Sequence, residues 1–382
     1  MGATLTDGLG IGTINNDDAV PPGALVISEF RADGPGIPQV GDEFVEIANT
    51  TASPVTIGAI DLSPGFSVWA ADGAKLFTIP NGTTVPAYGH YLAAGASYSL
   101  SNLGGTGAAA GDTPFLAGLT SNTGVALFDK DTSGGAPLDS VGFGSDIYVE
   151  GTGIASIGVS PFDGKNISFV RRHPYGGGTV VLDTNNNATD FSLVANDGGT
   201  YGSTLAILGG PSPENLASPP ERTGAELGLV LFDPGVDGVT APNYQFTAAV
   251  STVSSKFIEL RRKVTSTATF GNVRFKVTSV STLNNNTGGA QADFRPTTSP
   301  DVTPVVDTAF GLTLENGPIG YATLGVPDAT DVMGGLNSTL KFGPVTPGTP
   351  LVAGTPLGVN FKLFYTTSGK PGYYWVTIEA KP

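Results

Sequence analysis

Carboxylates and amides recur at alternate positions in two loop-like segments, the arrangement from which hard cations are held. In the run DKDTSGG, Asp129, Asp131 and Ser133 take the first, third and fifth places and Gly134 the sixth, as in the first half of a calcium-binding loop. The twelfth place is Ser140 rather than a bidentate glutamate, so the same residues also read as a hairpin turn. In DTNNNATD, Asp183, Asn185, Asn187 and Asp190 keep a similar rhythm, with Ala188 where a glycine would make the turn. The expectation is Ca2+ as a stabilising ion on one or both loops, and no other cofactor.

Nothing comparable points to catalysis. His90 and His173 are the two imidazoles, and the absence of cysteine removes thiolate nucleophiles, iron–sulfur clusters and sulfur-ligated zinc. His90 lies in PAYGHYLAAG at a turn-to-strand junction and His173 follows Arg171 and Arg172 at a strand end. Both read as hydrogen-bonded surface or edge side chains. Glu43 and Glu46 stand three apart, so one strand sends them to opposite faces and they cannot work as a paired acid and base. The motifs G-x-S-x-G, G-x-x-x-x-G-K-[ST] and H-E-x-x-H do not occur. The chain is expected not to be an enzyme.

The elements that carry these residues are short strands. With 55 glycines and 29 prolines in 382 residues, long helices are excluded, whereas 40% apolar content is too high for a disordered chain. Period-two alternation runs through ALVISEFR, EFVEIAN, FSVWA, GVALFD and LDSVGFG, and again through KFIELRRKV, NVRFKVTSV, GVNFKLFYT and GYYWVTIEA. In NVRFKVTSV, Val273, Phe275 and Val277 share one face and Arg274 and Lys276 the other, which reads as one buried and one wet face. The fold class is all-β: two immunoglobulin-like β-sandwiches in tandem. The proposed boundaries are an N-terminal extension at 1–23, a sandwich at 24–203, a proline-rich connector at 204–223, and a sandwich at 224–382. The connector, LGGPSPENLASPPERT, reads as an extended spacer.

Charge separates the halves. The formal net charge is −15, which opposes binding to nucleic acid, and no stretch is apolar and long enough for a membrane span. Residues 1–221 hold 22 acidic and 6 basic side chains, residues 222–382 hold 11 and 12. The basic cluster of Lys256, Arg261, Arg262, Lys263, Arg274 and Lys276 could present Arg262, Arg274 and Lys276 on one face to an acidic surface, and the acidic surface in quantity is the first half of the same protein. Exposed tyrosines around Tyr88, Tyr91 and Tyr98, or from Tyr373 to Trp375, would instead suit a glycan.

Several of these segments occur together in a known order. ALVISEF, GDEFVEIANTTASPVTIG, FTIPNGTTVPAYGHYLAAG, GVALFDKD with LDSVGFG, and SFVRR with DTNNNATDF resemble a bacterial lamin tail domain over about residues 24–203. GTINNDDA resembles the closing strand of a Calx-beta repeat, a likeness that implies calcium ligation by Asp17 and Asp18. The segments after residue 256 resemble a C-terminal module of bacterial surface proteins. These resemblances imply immunoglobulin-like sandwiches appended to secreted or surface proteins, without an activity of their own. The expectation is an extracellular bacterial structural protein, a filament, surface-layer or matrix subunit that polymerises head to tail. The strand-like residues 3–14 would pair with a neighbour's sheet edge. The competing expectation is a non-catalytic module that binds a glycan or cell-wall polymer. The first residues lack a basic segment followed by an apolar one, so secretion would depend on a signal lying upstream or already removed.

Overall fold

The computed structural model describes residues 19–100, 110–158, 166–174, 181–195, 198–247, 256–281, 294–296, 305–307, 312–314, 336–342, 345–365 and 372–382. The strand-like segment at residues 3–14, and Asp17 and Asp18 with it, lie outside the described residues. The chain is 41% strand and 3% helix, arranged in several sheets that form no closed barrel among the described residues, so it is all-β.

The first sandwich pairs a seven-stranded sheet with a four-stranded one. In the larger sheet the spatial order is Ile207–Leu208, Phe191–Ala195, Ile167–Arg171, Leu25–Arg31, Phe44–Asn49, His90–Ala94 and Thr113–Pro114. The smaller sheet runs Asp139–Val141, Val125–Phe128, Gly65–Ala70 and Lys75–Pro80. Leu25, Ile27, Val45, Ile47, Val68 and Leu127 fill the space between them. Phe30 stacks on Phe169 with ring centroids 5.1 Å apart. One irregularity decides what the outer face carries. The register of Leu25–Arg31 against Phe44–Asn49 shifts between Ile27 and Glu29, so Ser28 is an extra residue and the parity of the strand inverts there. Ile27 and Phe30 therefore both point into the core, while Glu29 turns outward directly opposite Glu46.

The second sandwich closes Leu227–Leu231, Lys256–Ser266, Leu357–Tyr365 and Phe294–Pro296, with Tyr244–Thr247 also paired to Lys256–Ser266, over a three-stranded sheet of Thr339–Lys341, Asn272–Val280 and Tyr374–Lys381. Val273, Phe275 and Val277 enter its core, and Phe275 meets Phe342 and Phe361 edge-on at 5.7 and 5.1 Å.

Two expectations need correction. The outer face of the three-stranded sheet is not wet: Arg274 is 1% exposed, Lys276 7% and Glu379 0%. Alternation reports that two faces differ in polarity, and here the polar face is covered by the first sandwich and the segment between. The connector at 204–223 is also not a spacer. Thr204–Leu205 pairs with Thr200–Tyr201, and Ile207–Leu208 extends the large sheet in parallel, so strand pairing continues past residue 203. From Gly209 to Glu214 and again from Pro219 to Glu221 the chain is buried. It is extended, as its prolines suggest, but it is a strap packed between the two sandwiches. Pro211, Pro213, Pro219 and Pro220 suit that place because each removes a backbone donor that burial would otherwise leave to be satisfied. A β-carbon at Gly209 would stand 2.2 Å from the carbonyl oxygen of Leu336, so only glycine lets the strap approach that closely.

Candidate functional site

The two loops with calcium-like spacing are placed by structural hydrogen bonds. DKDTSGG is the turn between Val125–Phe128 and Asp139–Val141. Asp131 receives Lys75 Nζ on both carboxylate oxygens at 3.0 Å and the Thr78 hydroxyl at 2.8 Å. Asp129 is half-buried and Ser133 exposed. Among the described residues, neither Asp129 nor Asp131 belongs to a group of three close acidic or imidazole ligands. In the second loop, Asp190 is fully buried and accepts from the Thr184 amide and hydroxyl at 2.8 and 2.6 Å. Asn186 caps the single helical turn Asn187–Asp190. The buried Asn187 carboxamide accepts from the Gly142 and Glu150 amides at 3.0 and 2.8 Å and donates to the Ser140 carbonyl at 3.0 Å, fastening the loop to the smaller sheet. Asn185 takes φ 54 on the exposed rim. Asp183, Asn185, Asn187 and Asp190 thus do not converge. Asp183 instead joins Asp139 and Glu150. Arg171 lies among them, bidentate to Asp139 at 2.7 Å and 3.4 Å from Asp183. Burial pushes Asp139 up to about 6 against the pull of Arg171, and burial together with Asp139 pushes Glu150 up to about 7.

The densest chemistry lies where the sandwiches meet. Glu29 and Glu46 face outward from the first sandwich because of the bulge at Ser28, and His90, paired opposite Ala48, stands beside them. His90 Nδ1 lies 3.1 Å from Glu46 and Nε2 lies 2.9 Å from Glu214 of the strap. Glu214 also touches Arg274 and lies 3.6 Å from Lys276 Nζ. Arg274 touches Glu379 beside it as well. Glu29 accepts from the Ser168 hydroxyl at 2.6 Å, the Ser212 amide at 3.1 Å and the Asn337 amide group at 3.0 Å, which ties the first sandwich, the strap and the second sandwich through one carboxylate. Backbone bonds run alongside, from Gly210 to the Leu336 carbonyl, from Arg222 to the Ile378 carbonyl and from Ala380 to the Pro220 carbonyl.

Protonation follows burial. Burial, then the neighbouring Glu46 charge, raises Glu29 to about 7. For Glu46 burial acts in the same upward direction, but the charge and hydrogen bond of His90, with Lys276, hold the carboxyl below its usual range. Glu221, 3.7 Å from His173, is raised to about 8 by burial and by Glu379. The interface therefore holds protons on Glu29 and Glu221 near neutrality, which limits the negative charge buried there.

Sequence reasoning did not select Glu29, Glu214 or Glu221 and placed His90 at a solvated edge. The available signal was a glutamate in each of two otherwise apolar strands, ALVISEF and EFVEIAN. The anticipated basic face also divides: Arg274 and Lys276 meet an acidic surface, but within the same chain, whereas Arg262 belongs to the opposite sheet and donates to the Asn243 and Arg261 carbonyls. Tyr88, Tyr91 and Tyr98 form no single platform. Tyr91 is in the first core, Tyr98 packs edge-on against Phe44, and Tyr88 sits at φ 54 in a turn. No family model, curated protein or solved structure matches the chain.

Proposed function

We propose that the chain is a non-catalytic structural subunit of an extracellular bacterial assembly, a filament, surface layer or matrix, built on a lamin tail-like sandwich. The observation that supports this reading most is the clamp between the sandwiches: a buried strap, five buried glutamates and their cationic partners join the two halves. Buried networks of this kind fix orientation more than they add stability, which suits a stiff building unit. Arg274 and Lys276 are used inside the chain, so head-to-tail contact rests on residues 3–14 adding to a neighbour's sheet edge. Such a heterologous contact repeats without closing unless the rotation forms a ring. The test is electron microscopy of the purified chain with and without residues 1–20. Filaments or sheets that disappear on deletion support the reading. Assembly that persists without the segment overturns the contact, and dispersed particles in both samples overturn the function.

A further inference from the structure

A cleft of about 400 Å³ opens between the sandwiches, along Ile167–Arg171 and Phe191–Ala195 on one side and Asn272–Val280 on the other. Its volume falls within the range of small-ligand sites, roughly 300–1,000 Å³. In a protein with 33 acidic and 18 basic side chains, chance would line it with carboxylates. Among the described residues the lining instead holds Arg171, Arg172, His173 and Lys276, and no aspartate or glutamate.

Three of these side chains already face carboxylates behind the wall. Arg171 holds Asp139, His173 lies near Glu221, and Lys276 lies near Glu214. Arg172 differs. The residue is exposed and lines the cleft; burial of part of the side chain lowers its pKa against the pull of the Asp190 charge, and among the described residues no ion pair within 4 Å includes it. Its Nε donates to the Ser192 hydroxyl at 2.6 Å, which fixes the plane of the group and leaves both terminal nitrogens to donate side by side. That fork matches a carboxylate. Around it the wall offers hydroxyls from Thr189, Thr278 and Ser279, groups that both donate and accept. Leu182, Ile207 and Val280 supply apolar surface between them.

We propose that this cleft binds an acidic saccharide, with the carboxylate of a uronic acid unit held by Arg172 and the sugar hydroxyls met by the Ser and Thr side chains. The proposal is independent of the assembly contact. It gives the subunit a means of holding an anionic polysaccharide in spite of its own net negative charge, because the carboxylates beside Arg171, His173 and Lys276 are each paired with those side chains.

The test is calorimetric titration of the full chain with trigalacturonate, with neutral galactotriose, acetate and inorganic phosphate as controls, at 50 and 500 mM salt. Binding of trigalacturonate alone, weakened at high salt, is expected. Arg172→Ala should weaken it by roughly 10–100-fold, the range of one bidentate charge-assisted contact, and Arg172→Lys should keep part of it. Ser192→Ala, which frees the guanidinium plane, should weaken it less than Arg172→Ala. Arg172 is exposed, so its two variants should melt with the parent. No heat at millimolar trigalacturonate, unchanged affinity in Arg172→Ala, or phosphate and acetate binding as tightly as the saccharide would each overturn the proposal.

Discussion

Truncating Glu214 probes the clamp at its centre. The side chain is fully buried, 2.9 Å from His90 Nε2, 3.6 Å from Lys276 Nζ and in contact with Arg274. Glu214→Ala removes the carboxylate that the three groups share and leaves Arg274 with Glu379 and His90 with Glu46 alone, and removing one partner of a buried ion pair costs about 3–5 kcal/mol. That loss falls on the coupling between the sandwiches, because both cores stay intact. The chain reports each half separately: Trp69 lies in Gly65–Ala70 of the first sandwich and Trp375 in Tyr374–Lys381 of the second, and there are two tryptophans in all. Variants that keep one tryptophan each, unfolded in guanidinium and followed by fluorescence, should give coincident transitions when Glu214 is present. With Glu214→Ala the Trp375 transition should move to lower denaturant and separate from that of Trp69. Coincident curves shifted by less than about 1 kcal/mol would refute the reasoning.

Further outcomes follow from the same geometry. Phe275→Ala should cost about 3–5 kcal/mol in denaturation experiments, because Phe275 is 2% exposed between two rings, and a loss below about 1 kcal/mol would place it outside the core. Glu29 and Glu221 titrate near about 7 and 8 when folded, against 4.5 in the open chain, so the folded state binds more protons between those values. Their contribution is complete below pH 4.5 and is lost as pH rises through 7 to 8, which predicts a lower denaturation midpoint at pH 9 than at pH 6; a higher midpoint at pH 9 contradicts it. Asn187→Ala should cost about 1–3 kcal/mol by leaving the Gly142 and Glu150 amides without their acceptor, measured by thermal melting, and a neutral result would mean another group replaces it. Since Asp131 and Asp190 already have protein partners, the melting temperature should be the same in millimolar calcium and in chelator; a rise with calcium would return the ion to these loops.

Much of the fold was legible because alternation and turn chemistry are local. Val273, Phe275 and Val277 share a face in sequence and in space, and Glu43 and Glu46 do point to opposite sides, Glu43 to the Leu119 amide and Glu46 to the strap. What covers a polar face is not local. Arg274 and Lys276 look the same in sequence whether they meet water or a second sheet, and the strap's prolines fix its extension without saying what it lies against. The bulge at Ser28, which turns Glu29 out, has no glycine to announce it. The calcium-like rhythms misled for a related reason: alternating Asp, Asn and Ser serve turns, caps and backbone amides as readily as they serve a cation, and at Asn187 and Asp190 those amides take them.

The central claim is that the strap and its charges make the two sandwiches one stiff unit, and a distance between them tests it directly. The chain has no cysteine, so spin labels can be attached at Asp72→Cys and Thr355→Cys alone, exposed positions in the first and second sandwich. Double electron–electron resonance on that pair should give a single narrow distance distribution at pH 7, and one that broadens when Glu214→Ala is added. A broad or multiple distribution in the otherwise unaltered chain would mean that the sandwiches move independently, and would contradict the account.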